Sequence, residues 1–178
     1  MALINERKRF WRAASLALLI LALLGPWGYD RINVPAEYTC NPPSFRLEGD
    51  FCGTPLSGAW IVFWFPLGFV ADLVSLSAGK VSFVVKVQQF LITLLLIFPW
   101  LPLLSTPLAI WRKDSRRLNM FQLKAWALAT ILGLFLVVST PQRLLWGAWA
   151  YAGLTPVVVI MELLAFSAER KAGKDHKN

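Results

Sequence analysis

Residues 89–111 read "QFLITLLLIFPWLPLLSTPLAIW", and whether this stretch crosses a membrane or turns back inside it decides the fold. Its length suits one crossing, since about 20 apolar residues span a hydrocarbon core about 30 Å thick. Its prolines argue otherwise. Pro99, Pro102 and Pro107 fall within nine residues, and each removes a backbone donor while its ring clashes with the preceding turn. That density predicts a break near "FPWLP" and a re-entrant hairpin, each arm about ten residues long, that enters and leaves on one side. The alternative is a single kinked helix that crosses, because re-entrant backbone is tolerated only where protein covers it.

The rest of the chain sets the context for that choice. Of 178 residues, 57% are hydrophobic and only 16% charged, with nine tryptophans and a mean hydropathy of +0.55. This composition describes a chain whose solvent is largely lipid. The expected fold class is all-α: a polytopic integral membrane protein with four transmembrane helices plus one kinked or re-entrant hydrophobic segment, and a disulfide-closed outer loop. Residues 1–178 read as a single membrane domain with apolar segments at 13–29, 59–79, 89–111, 123–140 and 144–166. The first follows Arg7, Lys8, Arg9 and Arg12 and ends in Gly-Pro-Trp-Gly, so it reads as an uncleaved signal anchor. Only "PQR" separates the last two, which predicts a tight helical hairpin. Residues 30–58 form the outer loop and 167–178 a cytoplasmic tail.

Charge placement orients the segments. The net charge of +8 comes from basic clusters at "ERKRFWR", "WRKDSRR" and "ERKAGKDHK". Each flanks an apolar run, the pattern of cytoplasmic loops beside anionic headgroups rather than of a nucleic-acid surface. With five crossings and an inner N-terminus, eleven of the 18 Lys and Arg fall outside, against the positive-inside bias. A hairpin in 89–111 leaves only Arg31, Arg46 and Arg143 outside, fifteen against three. If 59–79 is the segment that fails to cross, Lys80 and Lys86 join them, thirteen against five. Either arrangement predicts a multi-pass protein of the cell membrane with both termini cytoplasmic. Trp11, Trp111 and Trp126 then belong to an inner aromatic belt and Trp27, Trp60, Trp146 and Trp149 to an outer one.

Cys40 and Cys52 share the outer loop, "YTCNPPSFRLEGDFCG", where thiols meet an oxidising environment. They read as one disulfide, whose closure contributes about 3 kcal/mol by chain-entropy arguments. The single Cys-x11-Cys spacing lacks the Cys-x-x-Cys pair of a thiol relay.

Chemically capable groups are few. The one histidine, His176, is in the tail, no glycine-rich phosphate loop is present, and no cofactor or metal site is expected. Thr93 and Ser105 are expected to bond carbonyls a turn earlier in their helices. Asp72 and Glu162 stand inside apolar segments, where a charge is costly enough to count as a candidate ion site. The plainer use is local pairing, Asp72 with Lys80 or Lys86 and Glu162 with Arg170. The expected function is a non-catalytic accessory, assembly or scaffold protein, not an enzyme. Its partners are the lipid bilayer and other membrane subunits or a second copy, with no nucleic acid. The alternative is a small proton- or cation-coupled transporter or channel component using Asp72 and Glu162. Reporter fusions at Met1 and Asn178 are expected to report the inner side at both ends; an outer signal at Asn178 would restore five crossings.

Overall fold

The computed structural model describes residues 2–33, 39–41, 44–47, 51–64, 67, 91–111, 116–139 and 141–175. Helix α1, Ala2–Leu24, is built on "AASLALLILALL", whose Ala and Leu are the strongest helix formers. Gly25 ends it, donating its N–H to the Leu21 carbonyl at 3.0 Å, and the fixed φ of Pro26 starts an extended strand. Three strands follow: β1, Pro26–Asn33, β2, Phe45–Arg46, and β3, Phe51–Ser57. They form an antiparallel sheet in the order β1-β3-β2. Cys52, in the central strand between Ile32 and Arg46, is bonded to Cys40.

This sheet amends the all-α expectation: the structure is mostly helical but carries β structure between Pro26 and Ser57. Its strands, "PWGYDRIN" and "FCGTPLS", contain Gly and Pro and lack the alternation that marks a strand in sequence. Cross-strand contacts hold them instead, with Tyr29 edge-on to Phe45 at 5.4 Å and the Arg31 guanidinium 4.1 Å above the Phe51 ring.

The remaining helical stretches are α2 (residues 58–64), α3 (91–96), α4 (Trp100–Trp111), α5 (Arg116–Ser139) and α6 (Trp146–Asp175). A 3-10 turn, Pro141–Arg143, joins α5 to α6. Among the described residues, three helical stretches are long and apolar enough to cross a membrane: Leu91–Trp111, Arg117–Ser139 and Trp146–Ala168. Helix α6 continues to Asp175, so most of the stretch read as a tail is helical.

The hairpin expected in 89–111 does not form. Through residues 97–101 the amides of Ile97, Phe98, Trp100 and Leu101 each bond the carbonyl three residues back. This tighter winding carries the helical path past Pro99 and Pro102, so the prolines bend the segment without reversing it. Residues 91–111 therefore match the single-helix alternative, about 30 Å long at 1.5 Å per residue and so long enough to cross. Residues 68–90, with Asp72, Lys80 and Lys86, lie outside the described residues.

Helices α1, α4, α5 and α6 close a ring in which each packs on two neighbours: α1 on α4 and α6, and α5 on α4 and α6. Small residues set the spacing. Ala125, Ala129 and Gly133 recur every fourth residue on the buried face of α5, and a Cβ at Gly133 would lie 3.0 Å from the Ala152 Cα. This is the close approach by which membrane helices pack, where burial from water supplies no driving force. Tyr151 spans the same interface, its hydroxyl donating to the Ala129 carbonyl at 3.0 Å.

At the sheet end Trp27 is the keystone rather than a belt residue. It is 2% exposed, donates its indole N–H to the Ala22 carbonyl at 2.8 Å and packs at a tilt of 51° against the Tyr151 ring, 4.8 Å between centroids. Its backbone carbonyl accepts the Leu145 N–H at 3.0 Å, and its ring covers Gly58, where any side chain would collide with the indole. Trp126 is fully buried as well and also leaves the belt, whereas Trp11, Trp60, Trp111, Trp146 and Trp149 are exposed.

The disulfide yields a direct check. Native protein should take up no maleimide, and reduction should open two sites. A Cys40→Ser, Cys52→Ser variant should lose about 3 kcal/mol of stability, read by thermal melting; labelling without reductant would contradict the bridge.

Candidate functional site

Arginine at position 12 begins the site. The uncharged apolar run of α1, Ala13–Leu24, covers only about 18 Å at 1.5 Å per residue, well short of the hydrocarbon thickness. The cation at the end of that run lies inside the bundle, where an unpaired charge costs several kcal/mol. Arg12 is 4% exposed and Glu162 7%.

The bundle engages all three nitrogens of the guanidinium. Nε donates to Glu162 Oε1 at 2.7 Å and Nη2 to Oε2 at 2.8 Å, a two-pronged ion pair of the strongest hydrogen-bonding kind. Nη2 also donates to Asn119 Oδ1 at 3.0 Å and Nη1 to the Ala109 carbonyl at 3.4 Å. The local fold explains each partner. Ala109 lies in the last turn of α4, where carbonyls have no further amide in the helix to accept. Asn119 lies in the first turn of α5, and Glu162 on the inner face of α6. One side chain of α1 thus binds α4, α5 and α6 at once.

A second polar contact lies beside it. Gln122, one turn along α5 from Asn119, donates through Nε2 to Thr106 Oγ1 of α4 at 2.6 Å, and both residues are fully buried. Among the described residues neither the Thr93 nor the Ser105 hydroxyl has a hydrogen-bond partner; the carbonyls a turn before Thr93, at 89 and 90, lie outside those residues. Thr130 and Ser167 do bond backwards, to the Trp126 carbonyl at 2.9 Å and the Leu164 carbonyl at 2.8 Å.

Of the two carboxylates singled out in the sequence, Glu162 is in the site and Asp72 falls outside the described residues. Glu162 is engaged by Arg12, 150 positions away; the side chain of Arg170, its expected partner, lies outside the described ones. Arg12 was legible only as one of four cations flanking the first apolar segment. A depth count identifies it. Gly25 and Gly147 are in contact at the other end of the antiparallel α1–α6 pair. From that contact Arg12 is thirteen residues and Glu162 fifteen, so they lie within about 3 Å of the same level.

No protein-family model, curated protein or solved structure matches this chain.

Removing one partner leaves the other buried and unpaired, which typically costs 3–5 kcal/mol. Arg12→Met and Glu162→Gln are each expected to lower detergent-solubilised stability by about that amount. The double variant should lose markedly less than the sum of the two. Strict additivity in thermal melts would show that the pair is not coupled.

Proposed function

We propose that this chain is a non-catalytic accessory, assembly or scaffold protein of the membrane, acting through helix–helix contacts and its disulfide-stabilised outer sheet. The observation that carries this reading is the closed Arg12–Glu162 pair. A carboxylate that moves protons or cations must exchange partners during its cycle. Both oxygens of Glu162 are instead held at 2.7 and 2.8 Å by a guanidinium whose remaining donors reach Asn119 and the Ala109 carbonyl. The interior polar groups thereby serve to fix helices against one another, which is what a rigid partner-presenting body needs.

The proposed topology has four crossings, α1, the bent 91–111 segment, α5 and α6, with the sheet on the oxidising side and both termini in the cytoplasm. Three features support it. The Arg12–Glu162 and Gly25–Gly147 contacts make α1 and α6 antiparallel. The ends of α1 and α6 nearest Arg12 carry two of the basic clusters, and the α4–α5 connection at the same end carries the third. The disulfide lies at the opposite end, where a thiol pair persists oxidised. In this arrangement α2 begins at the sheet end, where the Gly58 N–H bonds the Gly25 carbonyl at 3.0 Å.

Purification in mild detergent, followed by quantitative identification of co-purifying proteins, tests the functional reading. A stoichiometric membrane partner, or a defined oligomer of this chain, is expected, with no pH-dependent flux after reconstitution into liposomes. A lone monomer that supports flux abolished by Glu162→Gln would replace this reading with ion-coupled transport.

A further inference from the structure

Helix α5 carries a second cationic feature, on its outward side. Arg117, Met120, Phe121 and Lys124 line an open groove of about 570 Å3, and all four are exposed. Spacings of three, four and seven residues put them on one stripe of the helix, about 10 Å from end to end. Arg117 opens the candidate span, Arg117–Ser139. Lys124 is five residues beyond Asn119, the residue that bonds Arg12, and so about 7.5 Å further into the bundle's length. An exposed ammonium at that depth faces lipid, where charge is costly unless paired or drawn to the interface. Among the described residues, neither Arg117 nor Lys124 has an ion pair or hydrogen bond. Helical side chains lean toward the helix N-terminus, which directs the Lys124 stem back toward Arg117.

We propose that this groove binds an anionic phospholipid. The phosphate sits between the Lys124 ammonium and the Arg117 guanidinium, and an acyl chain lies along Met120 and Phe121. Two cations at one interface select negative headgroups over zwitterionic ones. The apolar pair between them gives a lipid contact area that a free phosphate lacks. The inference depends on α5 being a membrane span and is independent of the accessory-protein reading.

The test compares phosphatidylglycerol with phosphatidylcholine in thermal melts of the full chain in mild detergent. Phosphatidylglycerol should raise Tm at concentrations where phosphatidylcholine does not. Arg117→Gln or Lys124→Gln should each weaken the apparent affinity about fivefold, while Lys124→Arg retains it. An Arg7→Gln, Arg9→Gln variant, altered at exposed cations of α1, should bind as the unaltered chain does. Inorganic phosphate should leave Tm unchanged. The proposal falls if the two lipids act equally on the unaltered protein, a comparison that requires no variant. It falls also if the α1 variant loses as much affinity as the groove variants, or if phosphate alone reproduces the stabilisation.

Discussion

The Arg12 guanidinium constrains everything else in this bundle. It bonds three helices besides its own, and it does so 4% exposed, where an error of register would strand a charge. Buried ion pairs seldom add much net stability, because desolvation offsets attraction, and apolar residues of similar volume often serve as well. What the pair does supply is discrimination. Sliding α6 by one turn against α1 would move Glu162 about 5 Å, beyond hydrogen-bond reach, and the penalty for separating the charges is large. We therefore assign Arg12 and Glu162 to register rather than to net stability; a comparably folded Met–Leu replacement that kept a single helix register would contradict that assignment.

The opposite end of the bundle is fixed by shape instead of charge. Gly25 and Gly147 meet closely enough that a Cβ on Gly147 would lie 2.7 Å from the Gly25 carbonyl carbon. Trp27 then locks α1, the sheet and the α5–α6 turn together through the Ala22 and Leu145 contacts. Between the ends, Ala125, Ala129 and Gly133 bring α5 against α6. In lipid, where apolar burial gives little association energy, contacts that specify geometry have to be polar or very close. The chain uses the polar kind at its basic end and the close kind at its sheet end.

What the sequence disclosed follows from how local each signal is. Apolar runs, flanking cations and a pair of cysteines in one polar loop are local patterns, and they led to the membrane class and the Cys40–Cys52 bond. The bend in 91–111 was half legible. Prolines announce a break in the hydrogen-bond ladder, but its outcome depends on whether neighbouring amides can re-pair, and those of Ile97, Phe98, Trp100 and Leu101 do. The sheet was hidden because its order comes from long-range pairing across a Gly- and Pro-containing loop. Glu162 could be picked out as an odd residue in an apolar run, whereas its partner could not, since Arg12 looks like an ordinary flank until the antiparallel contact at Gly25 and Gly147 sets a common depth.

Arg12 and Lys124 show how the faces of such a bundle can be told apart by what each cation requires. Both adjoin apolar runs near the basic end. Arg12 points inward and presents a planar fork, which suits a carboxylate fixed at two points and leaves further donors for an amide and a carbonyl. Lys124 points outward and presents a single ammonium on a flexible stem, which can reach toward an interface but cannot bind several helices at once. Exchanging the two would fail on the inner face, because a lysine at position 12 has three donors where Arg12 makes four bonds, to both Glu162 oxygens, Asn119 and the Ala109 carbonyl. The inward position thus requires arginine, whereas the outward one tolerates either cation.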